Sequence, residues 1–347
     1  MPGWVNEFGE IVSPRNVPAL LFPHWALFLP AVGTVACWAP GALECLGVFS
    51  AWFALACATL TANHRFFAHG AFKTSRAGRA LLACVACLGL QYGPLWWSSK
   101  HRKHHKFCDE RGDPHSWVRT AWWYAWFGWI CTVEERPIDT EFVHHAMFED
   151  AASEAWCIPA WLAPLQQGHH HPAAKPAAAA KPAAVAPAAA AAAAATGARS
   201  PRTHTRTVIA PELLLIDRLW FLPTLLVYLG ATLGLGASYR SAFFYWLGPS
   251  LCLPLPILLF NVMFHPPTPP TTTSARGGCC CALDSALDPL TVLLGESAHE
   301  DHHRAPSRIK RPSPLPGSLD LCYEGLLRPL LRLGVIWDPQ FGPAKRE

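Results

Sequence analysis

Four long apolar runs pattern the chain. Residues 19–38 are apolar except for His24, and at about 20 residues they are long enough to cross a bilayer as a helix. Ala39-Pro40-Gly41 makes a turn, and residues 42–62 form the second run, broken only by Glu44 near its start. Residues 219–237 and 242–264 form the third and fourth, with Ser238-Tyr239-Arg240-Ser241 between them. Two helices joined by so short a turn form a hairpin, so their outer ends return to one side. The pattern predicts an all-α membrane protein with four transmembrane helices arranged as two hairpins.

Shorter patterned stretches lie between and after these runs. Residues 80–97 are apolar but interrupted by Gln91-Tyr92-Gly93-Pro94, which predicts a helix lying near the membrane interface. Residues 121–131 carry Trp122, Trp123, Trp126 and Trp129, a spacing that suits an amphipathic interfacial helix. Residues 283–294 are apolar-periodic, and 321–337 predict a last amphipathic helix. In the polar linker, residues 169–195 are rich in Ala, Pro and His, and Pro172, Pro176, Pro182 and Pro187 interrupt the helix propensity of the alanines. The chain thus divides into an interfacial lead-in (1–18), a first hairpin region (19–132), a polar linker (133–216), a second hairpin (217–265), a low-complexity insertion (266–282) and a C-terminal helical region (283–347).

Composition agrees with the membrane reading. The 347 residues are 51% hydrophobic and 15% charged, against roughly 25% charged in soluble domains. Sixteen Trp fit a chain with much membrane–water boundary. The net charge of +4 is small and dispersed, which excludes a nucleic-acid-binding surface. Basic residues (Arg65, Lys73, Arg76, Lys100 to Lys106, Arg304, Arg308, Lys310, Arg311) flank the outer ends of the hairpins, while the hairpin turns carry only Arg240. That asymmetry puts the outer ends in the cytosol. Of thirteen Cys, the one C-x-x-C pair, Cys84 and Cys87, lies in a helical apolar pattern and reads as buried thiols. Abundant free cysteine fits a reducing compartment.

Histidine supplies the candidate chemistry. His101-Arg102-Lys103-His104-His105 and His299-Glu300-Asp301-His302-His303 share the spelling H-x-x-H-H. On a helix, His105 lies about 40° round from His101 one way and His104 about 60° the other, so each trio shares a face. Asn261 and His265, four apart, do the same. His64 and His69 are five apart, about 140° on a regular helix, and converge only where the helix ends or distorts. All four clusters sit at ends of apolar segments on one side. Nine imidazoles are too many for one zinc and suit two metal ions; imidazole fits iron, zinc or copper.

The pattern resembles the membrane fatty-acyl desaturases of the stearoyl-CoA (delta-9) type, bacterial–algal branch. The matching pieces are His64-Arg65-Phe66-Phe67-Ala68-His69, Gly93-Pro94-Leu95-Trp96-Trp97, His101 to His105, Asp113-Pro114-His115-Ser116, Asn261 with His265, Gly295-Glu296 before the third cluster, and Leu333-Gly334-Val335-Ile336-Trp337-Asp338. It departs from that pattern at Glu300-Asp301, at Ser297 and at Ser99-Lys100, where animal-type members carry Arg-Asp. The resemblance implies a cytosolic helical cap holding two iron ions (Fe2+). The implied ligands are His64, His69, His101, His104, His105, His265, His299, His302 and His303. Asn261 would act on one iron through a water, and Glu296 would orient an imidazole. Trp97, Lys100, Arg102, Asp113 and His115 are the candidate substrate contacts.

The implied reaction is O2-dependent insertion of a cis double bond into an acyl chain carried on CoA or another acyl carrier, in an endoplasmic reticulum or plastid membrane among membrane lipid. No His-Pro-Gly-Gly haem motif is present, so electrons would come from a separate cytochrome b5 or ferredoxin with its reductase. A membrane di-iron hydroxylase, an inactive paralogue and a metal-binding membrane protein stand as alternatives.

Overall fold

A computed structural model describes residues 33, 36–131, 137–150, 207–268 and 279–342, together with the short paired segments Trp4–Val5, Ile11–Val12 and Thr272–Thr273. The architecture is mostly helical. The first long helix, α1 (Ala42–Ala68), and a later one, Tyr239–Met263, are each long and apolar enough to cross a membrane. Of the four spans expected, the described residues hold these two, or three if Pro211–Arg218 and Leu222–Gly234, bent by 70°, cross as one. The bend coincides with Pro223 in the first turn of the second piece, where a missing N–H and a fixed φ favour a fresh helix start. The expected span at 19–38 lies almost wholly outside the described residues, as does the low-complexity tract at 169–195. Both long helices keep large apolar side chains exposed, among them Leu43, Leu46, Tyr245 and Met263, as lipid-facing surfaces do.

The stretch expected as one helix over 80–97 is two. Helix α2 (Arg76–Cys87) begins at Ser75, whose hydroxyl accepts the Gly78 N–H at 3.0 Å. It stops before Leu90 and Tyr92, both at positive φ. Helix α3 (Pro94–Phe107) then starts with Pro at its first position and Gly93 as its cap. The buried Asp217 carboxylate accepts the Leu95 and Trp96 N–H groups at 2.7 and 3.1 Å, so a residue beyond the linker caps the helix that carries His101 to His105. A Cβ at position 93 would run into Asp217, which explains the glycine. Over 321–337 the helix ends at Arg332, and Ile336–Trp337 pairs antiparallel with Lys73–Thr74. A second small pairing, Phe148–Asp150 with Thr207–Ile209, joins the two ends of the linker.

Two ties hold the ends of the chain's elements together. Arg65, fully buried, makes a double ion pair with Asp320 (2.9 and 2.9 Å) and donates to the carbonyls of Leu294 (3.0 Å) and Ile309 (2.8 Å). It thereby fastens the end of α1 to the segments on either side of the third histidine cluster. Gly295 lies against this pair at φ +71°, and a side chain there would meet Asp320 and Arg65. The second tie is a disulfide between Cys108 and Cys280, 172 residues apart, with Cα atoms 5.4 Å apart. The sequence alone reads as free thiols throughout; folding brings this distant pair together. Cys57, Cys84, Cys87 and Cys322 are free thiols.

Asp320→Ala should leave the Arg65 cation buried without its anion, a change that costs about 3–5 kcal/mol. We expect a lower unfolding temperature in detergent and a reduced monodisperse fraction by size exclusion. The paired change Arg65→Met with Asp320→Leu should recover much of the loss; equal stability of all three proteins would refute the tie.

Candidate metal centre

The H-x-x-x-x-H spacing is reconciled by the backbone. Helix α1 ends in a π-helical segment, Thr61–Ala68, whose i→i+5 hydrogen bonds widen the turn. Residues five apart then share a face, and the His64 and His69 rings lie 5.0 Å apart between centroids. His101, His104 and His105 project from α3, His265 follows directly on the Tyr239–Met263 helix, and His299, His302 and His303 share the short helix His299–Arg304. All nine come into one continuous cluster.

The cluster has two halves. In the first, one nitrogen from each of His64, His69, His101, His105 and His302 lies within 4.8 Å of the others. The Nε2 atoms run His64–His302 (2.9 Å), His302–His105 (2.9 Å), His105–His101 (3.0 Å) and His101–His69 (3.0 Å). In the second, His104, His265 and His303 converge, and His299 Nε2 lies 3.0 Å from His265 Nε2. His105 and His303 stack at 4.3 Å and join the halves.

The donor set fits metal. Glu296 faces His64 Nδ1 at 3.1 Å, Asp113 faces His104 Nδ1 at 2.9 Å and Asp109 faces His265 Nδ1 at 3.1 Å. Each carboxylate holds the proton on Nδ1 and leaves the Nε2 lone pair bare toward the cluster. The buried His303 Nε2 has no hydrogen-bond partner either. Nitrogen pairs about 3 Å apart match the edge between neighbouring ligands when metal–imidazole bonds are about 2.1 Å.

Burial sets the electrostatics. It holds His69, His101, His105, His299, His302 and His303 well below the usual imidazole range, with neighbouring imidazoles adding to the effect. Burial lowers His265 too, against the pull of Asp109. His104 is the exception: burial disfavours its cation, but Asp113 outweighs burial and the net shift is upward. Burial raises Glu296 despite Arg311, which contacts its Oε2 at 2.6 Å.

Other expected site residues are placed as follows. Asn261 is half-buried one turn before His265, and its side chain makes no hydrogen bond among the described residues. Trp97 stacks on His101 at 4.9 Å and donates to Gln91. Lys100 is buried and ion-paired with Asp139 at 2.8 Å, and Arg102 donates to the Ala68 and Phe142 carbonyls. Asp113 serves His104, and His115 packs at 4.4 Å on the same ring, with burial lowering it to about 3. These last four are thus engaged by the protein itself. The unusual Glu300 and Asp301 form ion pairs with Arg304 and Arg308, leaving the imidazoles unchallenged. Asp109 and Arg311 were not singled out in the sequence; the one available signal was an acidic residue four positions after His105.

Comparison with known proteins gives several partial matches. The chain is 30% identical over 188 residues to the hex-5-enoyl-[acyl-carrier protein] acetylenase of Moorena producens, covering 47% of this chain and 58% of that protein. It is 33% identical over 98 residues to the acyl-CoA Delta-12 desaturase of Tribolium castaneum, 27% of each chain. It is 42% identical over 67 residues to Delta-9 acyl-lipid desaturase 2 of Arabidopsis thaliana, 19% of this chain and 22% of that one. The chain therefore spans a little over half of the first of these relatives and about a quarter of the other two. No family model matches the chain.

Two outcomes test the centre. Asp109→Asn and Glu296→Gln should each weaken metal binding by about 10–100-fold, read by competition with a chelator. Unchanged affinity would remove the carboxylates from the site. The imidazoles lowered by burial bind fewer protons folded than unfolded below their ordinary value of 6.5, so their contribution to stability is present above that pH and is lost as pH falls. His104 has the opposite sign and is outnumbered. The metal-free protein should therefore unfold at a lower temperature at pH 5.5 than at pH 7.5; a flat profile would contradict the buried neutral cluster.

Proposed function

Since the chain belongs to the membrane fatty acyl desaturase family, we propose that it is an O2-dependent desaturase placing a cis delta-9 double bond in a saturated acyl chain carried on CoA. The observation that supports this reading most is the convergence of nine imidazoles, backed by carboxylates, into two adjoining donor sets.

An isolated methylene has no acidic or electrophilic handle, so side-chain acid–base chemistry cannot break its C–H bonds. Two iron ions bound at this centre supply the one-electron oxygen chemistry that can. His64, His69, His101, His105 and His302 would hold one ion, and His104, His265, His299 and His303 the other. Glu296, Asp113 and Asp109 keep the protons on the far nitrogens of three ligands, so the imidazoles stay neutral and fixed in direction. Asn261 would act through a water near the His265 half. Trp97, flat against His101, shields the centre from solvent on that side. Beside it Leu90, Gln91, Tyr92, Trp96, Trp97 and Leu258 line a small cavity.

In this reading the histidine-bearing ends face the cytosol of an endoplasmic reticulum membrane, and a separate cytochrome b5 or ferredoxin with its reductase delivers two electrons. The relative matched over 188 residues is named for an acyl-carrier-protein substrate, which makes the carrier the first thing to test.

Expression in a desaturase-deficient yeast should yield a new monounsaturated fatty acid and rescue growth, and His302→Ala should abolish both. Purified protein should carry about two irons per chain and, with a reductase system, act on acyl-CoA in preference to the acyl-carrier-protein thioester. A hydroxy acid with no alkene would replace this reading with a hydroxylase. No new species despite good expression would overturn it.

A further inference from the structure

Behind the second half of the centre lies a sulfur site that the desaturation reading does not use. Cys108 ends α3, three residues after His105, and Cys280 lies on the strand that pairs with Thr272–Thr273. Both are fully buried and their sulfurs are joined. Each sulfur touches the back of one imidazole: Cys108 Sγ is 3.7 Å from His265 Nδ1, and Cys280 Sγ is 3.7 Å from His303 Nδ1. The next residue, Cys281, donates its backbone N–H at 2.8 Å to Asp109 Oδ2, the oxygen that faces His265 Nδ1.

From there the chain is laced to two more ligand-bearing elements. Leu283 N–H donates to the Phe264 carbonyl at 3.0 Å, next to His265. Ser285 N–H donates to the Ser297 carbonyl at 2.9 Å, and Asp284 accepts the Glu300 N–H at 2.8 Å at the start of the third cluster. One short segment, 280–285, thus touches the helix end after His105, the residue before His265 and the helix of His299 to His303. The sulfur–sulfur bond is its only covalent link to the first of these among the described residues.

We propose that Cys108 and Cys280 are a reversible redox pair that clamps segment 280–285, and with it the third histidine cluster, onto the end of α3. Elsewhere among the described residues Cys57, Cys84, Cys87, Cys252 and Cys322 are free thiols, and a lone bond beside the metal centre of such a chain is the kind that exchanges. The reaction is two successive thiol–disulfide exchanges with a low-molecular-weight disulfide such as oxidised glutathione. One cysteine thiolate attacks the reagent, its S–S bond breaks, and one glutathione leaves carrying a proton. The partner sulfur attacks the resulting mixed disulfide and displaces the second glutathione with the second proton. The pair loses two electrons and the reagent gains two. Because both sulfurs are buried, exchange requires the segment to open locally.

The test uses the full chain purified in detergent and equilibrated in glutathione buffers of graded composition. Acid quenching, alkylation and peptide mass spectrometry measure the Cys108–Cys280 link. Peptide-level hydrogen exchange over 279–304 measures the clamp. We expect the linked fraction to pass from complete to absent across the buffer series and back again on reversal. Exchange over 279–304 should be about tenfold faster in the reduced form than in the linked form. Cys108→Ser and Cys280→Ser should each behave as permanently reduced wild type. Both cysteines alkylated in every buffer, a link that persists in every buffer, or identical exchange in the two states would each overturn the proposal. Neither readout depends on iron or product, so its failure is distinct from failure of the desaturase reading.

Discussion

Nitrogen lone pairs cannot be packed against one another in a dry interior unless a cation or a proton lies between them. Nine imidazoles meet here with Nε2 atoms as close as 2.9 Å, and burial makes the protonated forms costly. That constraint accounts for much around them. Glu296, Asp113 and Asp109 occupy the outer nitrogens because a proton parked there frees the inner one. Arg311 lies behind Glu296 because a buried carboxylate needs a partner of opposite charge. All three carboxylates ring the cluster and orient an imidazole, and Glu296 also neutralises the buried Arg311.

The same economy governs the join between α1 and the segments around the third histidine cluster. The end of α1 carries two of the nine imidazoles, His64 and His69, and between them stands Arg65, whose guanidinium reaches Asp320 and two carbonyls on separate segments. Placement of the imidazoles and docking of the C-terminal segments are therefore performed by adjacent residues of one wide helical turn. The π-helical segment serves both ends: it aims the two imidazoles the same way and turns the arginine away from them.

The sequence made the ligand trios legible because helical periodicity is local: three, four and seven residues along a helix fix which side chains share a face. It also made visible that His64 and His69 needed a distortion, though not that a π-helix would provide it, since wide turns carry no strong sequence signature. The break between α2 and α3 was half legible; Pro94 announces a helix start, but only Asp217, 123 positions later in the chain, shows where its free N–H groups go. Asp109, Arg311 and the partner of Arg65 were not legible, because each acts across a contact whose other member is far away in sequence. The Cys108–Cys280 pair was hidden for the same reason. Spans were the least secure part: apolar length marks a candidate, but the chain bends at Pro223 within one of them, and 19–38 lies almost wholly outside the described residues.

The small antiparallel pairing of Phe148–Asp150 with Thr207–Ile209 has a consequence for how such a chain can change over generations. It brings the exit and entry of the intervening 56 residues to one place, directly before the helix whose Asp217 caps α3. Lengthening a loop whose ends are already joined adds only a slowly growing entropic penalty. The tract between can therefore gain or lose alanine and proline repeats, or accept a foreign insert, without shifting an imidazole. The pairing thus uncouples the length of that tract from the placement of the imidazoles.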